Sequence, residues 1–189
     1  EALIVATGCM AQRDTDAVDE MESVDLVVTN VQKRELTQTV TDRLGVALTP
    51  CSEGSLAAGS GALLGRSRAS LKIQEGCDQV CAYCIVPKVR GRERSVPDDT
   101  LVRQVARLVD EGAREVVLTG TQLGSYGFDL PDSDLPSMLR RVLNETAVER
   151  LRVSSLQPRE LTDGRLGVWS AKGQGRLCPH CHMALQSGS

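Results

Sequence analysis

Three cysteines near the middle of the chain are the residues whose type and spacing best suit chemistry. Cys77, Cys81 and Cys84 form a C-x3-C-x2-C motif in a loop that directly follows a predicted strand. Thiolates are the usual ligands of iron–sulfur clusters, and a four-iron cluster normally takes four of them. Three cysteines would therefore leave one iron open, and an open metal position can chelate a small molecule.

Zinc is the alternative that this motif leaves open. A structural zinc site needs a fourth ligand at short range, commonly from a second C-x2-C pair about 15–20 residues further on. The second pair in this chain, Cys178 and Cys181, lies much farther along the sequence. The spacing therefore favours an iron–sulfur cluster over zinc.

The composition limits what the rest of the chain can be. Its 189 residues are 41% hydrophobic and 25% charged, a mixture typical of one or two folded domains. With 22 Lys and Arg against 25 Asp and Glu, the net charge of -3 excludes a charge-dominated nucleic-acid binder but allows RNA on a local basic patch. We expect neither DNA nor a membrane as a partner, since no apolar run reaches the roughly 18 residues that a span needs.

The cysteines and the chain ends suggest where the protein works and what it is part of. Seven cysteines, an odd number, without a recognisable secretory signal favour metal or redox chemistry over a disulfide framework. A reducing cytoplasm is therefore the expected compartment. Apolar stretches follow Glu1 at once and come directly before the last residues, so we expect both ends to be cuts through a larger protein.

The order of elements predicts an α/β fold. The predicted strands are 3–7, 26–29, 71–74, 116–119, 151–154 and 183–185. The predicted helices are 14–21, 36–44, 98–111 and 135–143. A glycine- and serine-rich stretch at 46–69 separates two groups of elements and is interpreted as a linker. Because strands and helices alternate, a parallel sheet follows, although the pattern does not decide whether it closes into a barrel.

Around the cysteine motif the sequence resembles a known family. Ala69–Cys77, Ile85-Val-Pro87 and Arg90-Gly91 are similar to the methylthiotransferases within the radical S-adenosylmethionine superfamily. Similar segments follow the family's order: Gly8–Gln12, Val117–Gly120, Leu123–Gly127, Arg152–Ser155 and Leu185–Ser189. They look most like the branch that modifies N6-threonylcarbamoyladenosine in tRNA. Related branches act on isopentenyladenosine in tRNA or on an aspartate of a ribosomal protein, and a non-catalytic metal-binding module is the alternative from another class.

The resemblance implies a fold and a domain organisation. Residues 1–45 would be the C-terminal part of an α/β methylthiotransferase N-terminal domain. Residues 70–189 would form the first strands of a partial TIM-type radical SAM barrel, with the linker 46–69 between the two.

The same resemblance implies two clusters. Cys77, Cys81 and Cys84 would hold a 4Fe-4S cluster whose open iron takes S-adenosylmethionine. Cys9 would be the last of three ligands of a second 4Fe-4S cluster, with the other two lying before the first residue. Cys51, in the linker, would be a free thiol. With one second-cluster ligand, the chain as given is not expected to complete methylthiolation by itself.

The implied reaction is the addition of a methylthio group to carbon 2 of the modified adenosine. Reductive cleavage of S-adenosylmethionine would give a 5′-deoxyadenosyl radical that attacks this C–H centre, which acid–base chemistry does not readily reach. A second S-adenosylmethionine would supply the methyl group. The expected partners are tRNA and a one-electron donor protein.

Residues at two predicted strand ends would contact the S-adenosylmethionine. Gly120, Thr121 and Gln122 would lie near its amino group, although a plain glycine turn is an equal alternative. Ser155, with Ser154, would line the same cavity, although a helix N-cap is the alternative. Strand ends are where parallel barrels place their sites.

Three further features have less specific interpretations. Alternating basic residues at 88–94 (Lys88, Arg90, Arg92 and Arg94) would place four charges on one face of an extended segment, for RNA phosphates or simply for solvent. Cys178-Pro-His-Cys181-His182 matches a haem-attachment pattern formally, but a structural cysteine with strand histidines is preferred over metal binding. Four glycines at 163–175 weaken the helix expected there.

Overall fold

The computed structural model describes residues 2–47, 67–79, 81–170 and 175–183. They fold into two compact units. Of the described residues, 2–47 and 77–92 belong to the first unit, and the others belong to the second. The cysteine motif therefore groups with the N-terminal part of the chain. The predicted domain boundaries stay a prediction, and most of the predicted linker, including Cys51, lies outside the described residues.

Two short parallel strands form the centre of the first unit. β1 (Val5–Thr7) pairs with β2 (Leu26–Val28). Between them the chain forms α1 (Cys9–Arg13) and α2 (Thr15–Asp19). The predicted helix 14–21 is present as α2, which begins after Asp14 because the φ of -144 and ψ of 69 at Asp14 are not helical. The sequence did not predict α1.

Two further α-helices belong to the first unit, the first of them directly after a short 3-10 helix at Gln32–Glu35. α3 (Leu36–Leu44) ends at Gly45, whose φ of 63 is left-handed and suits a glycine stop. α4 (Val86–Arg90) follows the cysteine motif directly and carries Pro87 in its first turn, where a missing N–H costs nothing. The sequence predicted α3 and its end, but it did not predict α4.

The second unit alternates strands and helices, as the sequence predicted. In chain order its elements are β3 (Arg68–Lys72), β4 (Gln74–Glu75), β5 (Arg94–Ser95), α5 (Asp98–Asp110), β6 (Glu115–Thr119), α6 (Leu135–Glu145), β7 (Arg150–Val153), β8 (Ser155–Leu156), α7 (Asp163–Ser170) and β9 (His182–Met183). β3, β6 and β7 form a parallel sheet in the order β3-β6-β7, while β4 pairs with β5 antiparallel and β8 with β9 parallel.

Apolar faces of α5 and α6 pack against this sheet. α5 buries Leu101, Val105 and Leu108, which recur at the spacing of one helical face. α6 begins with a capping box, in which the Asp134 side chain accepts from Ser137 N at 2.8 Å. Each fully buried apolar side chain of this size stabilises the fold by about 1.5–3 kcal/mol. The sheet is thereby held as a rigid base for the loops at its ends.

The start of β3 and the presence of α7 differ most from the sequence predictions. β3 begins at Arg68, inside the stretch interpreted as linker, because Ala69 is buried and belongs to the sheet. The helix doubted at 163–175 is present as α7, since Val168 is buried and Trp169 Nε1 donates to Cys178 O at 3.1 Å. Residues 171–174 and the last two residues of the predicted strand 183–185 lie outside the described residues. Within the described ranges, no helix has the length and apolar character to cross a membrane.

Candidate functional site

Backbone hydrogen bonds fix the ends of the cysteine loop. Cys77 N donates to Gly91 O at 3.2 Å, and Cys84 N donates to Cys81 O at 3.1 Å, which closes a turn before α4. Gly91, with a φ of 73, lets the chain reverse beside Cys77. The motif is thus part of a closed loop with α4 on its C-terminal side.

An ion pair reinforces this closure. Arg92 donates from Nη2 to Asp78 Oδ2 at 2.8 Å and from Nε to Asp78 Oδ1 at 3.3 Å, a two-pronged contact next to Cys77. Because the Arg92 side chain is 88% exposed, water screens the pair and it contributes about 0–1 kcal/mol. Its effect is on the geometry of the loop more than on the stability of the fold.

The three thiols of the motif are unbridged. Cys81 is exposed, and Cys77 and Cys84 are partly exposed. Across 2–47, 67–79, 81–170 and 175–183, no three Cys, His, Asp or Glu side chains converge closely enough to hold a metal ion. The donor set itself fits, because three thiols without a disulfide on one short loop are what a four-iron cluster with one open iron requires. Their role as ligands stays a prediction.

Cys9 lies in the same unit as the cysteine loop. It is the exposed first residue of α1, and Asn30 Nδ2 is 3.9 Å from its Sγ. The same Nδ2 donates to Val89 O on α4 at 2.7 Å. One side-chain amide therefore connects the helix that begins at Cys9 with the helix that follows the motif. The assignment of Cys9 to a second cluster stays a prediction.

In the second unit, the turn after β6 is held by a buried glutamine. Gln74 is 1% exposed, and its Oε1 accepts from Thr121 N at 2.9 Å and from Gln122 N at 2.8 Å. A Cβ at Gly120 would lie 2.7 Å from Leu123 Cδ2, so packing alone explains this glycine. The structure brings the three predicted residues into one turn, and their contact with S-adenosylmethionine stays a prediction.

A buried polar network continues from this turn. The Gln122 side chain donates to Glu160, and Gln157 donates from Nε2 to Gln122 Oε1 at 2.9 Å and from its backbone N to Glu160 Oε2 at 2.8 Å. Gly124 lies against Glu160, because a Cβ there would be 1.9 Å from Glu160 Cδ. The sequence analysis missed Gln74, Gln157 and Glu160. The one available signal was that Gln74 places a polar residue directly after the buried Ile73.

Ser155 hydrogen-bonds to a histidine of the neighbouring strand. Its Oγ is 2.7 Å from His182 Nδ1, and the two residues are paired in the β8–β9 register. The alternative that Ser155 caps a helix is therefore wrong, since it lies within a strand. Cys178 is buried, with its carbonyl bonded to Trp169, which agrees with a structural role. The haem-like pattern also forms no converging metal site among the described residues.

The basic residues at 88–94 do not form one extended face. Lys88 and Arg90 lie on α4, Arg92 pairs with Asp78, and Arg94 begins β5 in the second unit. The prediction of one face on an extended segment is wrong because a helical turn and the positive φ of Gly91 interrupt the segment.

Comparison with known proteins identifies the family. The profile of the Radical SAM superfamily matches residues 71–160. A threonylcarbamoyladenosine tRNA methylthiotransferase MtaB of Rickettsia prowazekii is 37% identical over 98% of this chain and 44% of its own length. The MtaB of Aquifex aeolicus is 34% identical over 100% of this chain and 47% of its own length. The chain belongs to the radical S-adenosylmethionine methylthiotransferase family.

Other comparisons bear on the branch and the fold of this chain. A tRNA-2-methylthio-N(6)-dimethylallyladenosine synthase of Syntrophobacter fumaroxidans is 36% identical over 98% of the chain and 42% of its own length, so identity alone does not separate the two tRNA branches. The radical S-adenosylmethionine methyltransferase TsrM of Kitasatospora setae, solved with tryptophan substrate and a SAM analogue, superposes with a TM-score of 0.53. It is 14% identical and matched over 88% of this chain and 39% of its own.

These findings confirm the predicted fold class and agree with the predicted cofactors. The α/β architecture with parallel strands is that of a partial radical SAM domain. A 4Fe-4S cluster and S-adenosylmethionine are the cofactors of this methylthiotransferase family. The chain spans less than half the length of the curated relatives named above.

Proposed function

We propose that this chain is part of a cytoplasmic tRNA methylthiotransferase that adds a methylthio group to carbon 2 of N6-threonylcarbamoyladenosine, next to the anticodon. The observation that carries the proposal is the closed loop with three unbridged thiols, in a chain aligned over nearly its whole length with proteins named for this activity. Methylthiolation of isopentenyladenosine in tRNA is the second candidate, because the relative from Syntrophobacter fumaroxidans is almost as similar.

In the proposed mechanism, Cys77, Cys81 and Cys84 hold a 4Fe-4S cluster, and Cys9 contributes to a second one. With S-adenosylmethionine bound, the clusters would supply one-electron chemistry for a C–H bond that acid–base catalysis does not readily reach. The loop closure at Cys77 and Gly91 would keep the thiols on one short segment. The one-electron donor would be a separate protein.

The turn Gly120–Gln122 would receive the amino group of S-adenosylmethionine. Gln74 already occupies the N–H groups of Thr121 and Gln122. With these donors engaged, the turn is suited to accept hydrogen bonds from an ammonium group through its oxygen atoms rather than to donate them. Ser155, hydrogen-bonded to His182, would line the same cavity from the start of β8.

The cluster assignment is tested by anaerobic reconstitution of the purified protein. Replacing Cys77, Cys81 or Cys84 by Ala should each remove about four irons and the matching sulfide, together with the thiolate-to-iron absorption. Cys51→Ala is the matched control and should keep both. About one zinc per chain without iron would contradict the proposal.

The substrate is tested by mass spectrometry of digested tRNA from cells with and without the gene. We expect loss of the 2-methylthio form of N6-threonylcarbamoyladenosine and accumulation of its unthiolated precursor. Loss of the methylthio form of isopentenyladenosine would instead place the protein in the second branch.

A further inference from the structure

Gln74 connects two segments that the proposed mechanism treats separately. It lies in β4, between β3 and the cysteine motif, and its side chain is buried, with the residue 1% exposed. Its Nε2 donates to Gly76 O at 2.9 Å, and Gly76 is the residue before Cys77. Its Oε1 accepts from Thr121 N and Gln122 N at 2.9 and 2.8 Å. One buried carboxamide thus joins Gly76 to the turn after β6, and all of these residues belong to the second unit.

The chemistry of the carboxamide explains why this position needs glutamine. A carboxamide carries an acceptor and two donors on one planar group, whereas a carboxylate only accepts and an apolar side chain does neither. Losing either the donor to Gly76 or the acceptor for Thr121 and Gln122 would leave buried backbone groups without a hydrogen bond. This costs more free energy than the hydrogen bond itself contributes. Gly76 adopts a φ of 78 at this point, so its carbonyl direction depends on a conformation that other residues rarely adopt.

The turn is also supported from its other side. The Gln122 side chain is held by Glu160 and Gln157, while its backbone N–H is held by Gln74. Gly124 leaves room for the Glu160 carboxyl, since a Cβ there would lie 1.9 Å from Glu160 Cδ. Buried networks whose members are satisfied are rigid, so the turn has one position relative to Gly76.

We propose that Gln74 is a positioning residue that holds Gly76 and the turn Gly120–Gln122 in one fixed arrangement within the second unit. The inference rests on the proposed function, in which the loop holds the cluster and the turn receives the amino group of S-adenosylmethionine. Gln74 does not touch the cofactor in this arrangement. Its removal therefore weakens cofactor binding while the three thiols still assemble the cluster.

The decisive variant is Gln74→Glu in the full-length protein. Glutamate keeps the acceptor for Thr121 and Gln122 but replaces the donor to Gly76 O by an oxygen. The hydrogen bond to Gly76 is therefore lost, and the hydrogen bonds from the turn are kept. We expect wild-type iron and sulfide content and a dissociation constant for S-adenosylmethionine raised about tenfold or more, measured by equilibrium dialysis. The change that S-adenosylmethionine causes in the electron paramagnetic resonance spectrum of the reduced cluster should also shrink.

Gln38→Glu is the matched control, because this substitution makes the same change of charge at an exposed position of α3. It should bind S-adenosylmethionine as the wild type does. If Gln74→Glu does not fold, Gln74→Asn tests the same bridge, since its shorter side chain cannot span both partners. Unchanged affinity in a folded variant overturns the inference, as does loss of the cluster in that variant. Absence of a four-iron cluster in the wild-type protein would instead refute the proposed function.

Discussion

Asn30 and Val89, far apart in sequence, are joined by a 2.7 Å hydrogen bond from the side-chain amide of Asn30 to the backbone oxygen of Val89. Val89 is buried, and it lies on the helix that follows the cysteine motif. The bond therefore ties the end of β2 to the C-terminal side of the cysteine loop. Because the same amide is 3.9 Å from Cys9 Sγ, any change at Asn30 affects both helices.

Asn30→Ala should loosen α4 without unfolding the chain. Removing the donor leaves the Val89 carbonyl without this partner, which should lower the free energy of unfolding by about 1–2 kcal/mol. Amide hydrogen exchange, followed by mass spectrometry, should become faster in peptides covering α4. Gln38→Ala, which removes an exposed i,i+4 hydrogen bond to Asp42, is the control and should leave exchange in α4 unchanged. Equal exchange in α4 of the Asn30→Ala protein would contradict the prediction.

Gly127→Ala should destabilise the second unit strongly. Gly127 has a φ of 92, and a Cβ there would lie 2.2 Å from the backbone oxygen of Ser133. The backbone conformation alone costs a side chain about 1–3 kcal/mol, and the clash with a backbone atom adds to this cost. Chemical denaturation measures the loss, and unchanged stability would show that the loop around Ser133 can move aside.

Gly167→Ala is the control for that substitution. Gly167 lies in the middle of α7, and no heavy atom lies within 4 Å of a Cβ built on it. Alanine favours a helix over glycine by about 1 kcal/mol, so this variant should be more stable than the wild type. Replacing glycine by alanine is thus expected to lower the stability of the second unit at Gly127 and to raise it at Gly167.

Glu115 should make the stability of the second unit depend on acidic pH. The hydrogen bond from Arg152 Nε, at 2.8 Å, and the nearby charge of Arg68 hold the pKa of Glu115 below its usual value, against the opposing effect of burial. A pKa lowered by folding gives stability that is present above the unfolded value of about 4.3 and is lost as the pH falls through the folded value. Glu115→Gln should lower the free energy of unfolding at pH 7 by about 1.5–3 kcal/mol.

Chemical denaturation at a series of pH values tests whether stability falls with pH in this way. Between about pH 5 and pH 3 the wild type should lose stability faster than Glu115→Gln, because the variant has no carboxyl to protonate at this position. Glu149→Gln, at an exposed position next to β7, should follow the wild type. Parallel pH curves for the wild type and Glu115→Gln would show that the arginines do not stabilise the carboxylate.

Regular elements of this chain were predictable because their physics is local. The spacing of Leu101, Val105 and Leu108 is set by the helical period, so it shows in the sequence before any contact is known. The alternation of strands and helices likewise predicted the parallel sheet. The break at Asp14 depends on a single backbone conformation and leaves no periodic signal.

The polar support of the candidate site was not predictable for a different reason. Gln74, Gln122 and Glu160 interact across long stretches of sequence, and a glutamine or glutamate alone does not indicate which partner it will find. The grouping of residues 77–92 with the N-terminal unit depends in the same way on contacts distant in sequence. The motif indicated the chemistry, whereas the hydrogen bonds among Gln74, Gln122 and Glu160 became visible only in the fold.

Tyr126 should remain protonated until the second unit unfolds. It is 1% exposed, and its hydroxyl lies 2.6 Å from Val96 O and 2.7 Å from Asp98 Oδ1. Burial raises the pKa of Tyr126 well above its usual value, and the charge of Asp98 raises it further. A pKa raised by folding gives stability that is present below the unfolded value of about 10 and is lost as the pH rises.

The chain has two tyrosines, so Tyr83→Phe leaves Tyr126 as the one source of phenolate absorbance. In this variant we expect phenolate to appear, on raising the pH, together with loss of the circular dichroism signal of the folded chain. Tyr126→Phe should lower the free energy of unfolding at pH 7 by about 1–3 kcal/mol, since Val96 O and Asp98 lose a buried donor. It should also flatten the loss of stability above about pH 10, because no phenol remains at this position to ionise on unfolding. Phenolate formed while the circular dichroism of the Tyr83→Phe protein is still native would show that Tyr126 is reached by hydroxide in the folded state, and the prediction would be wrong.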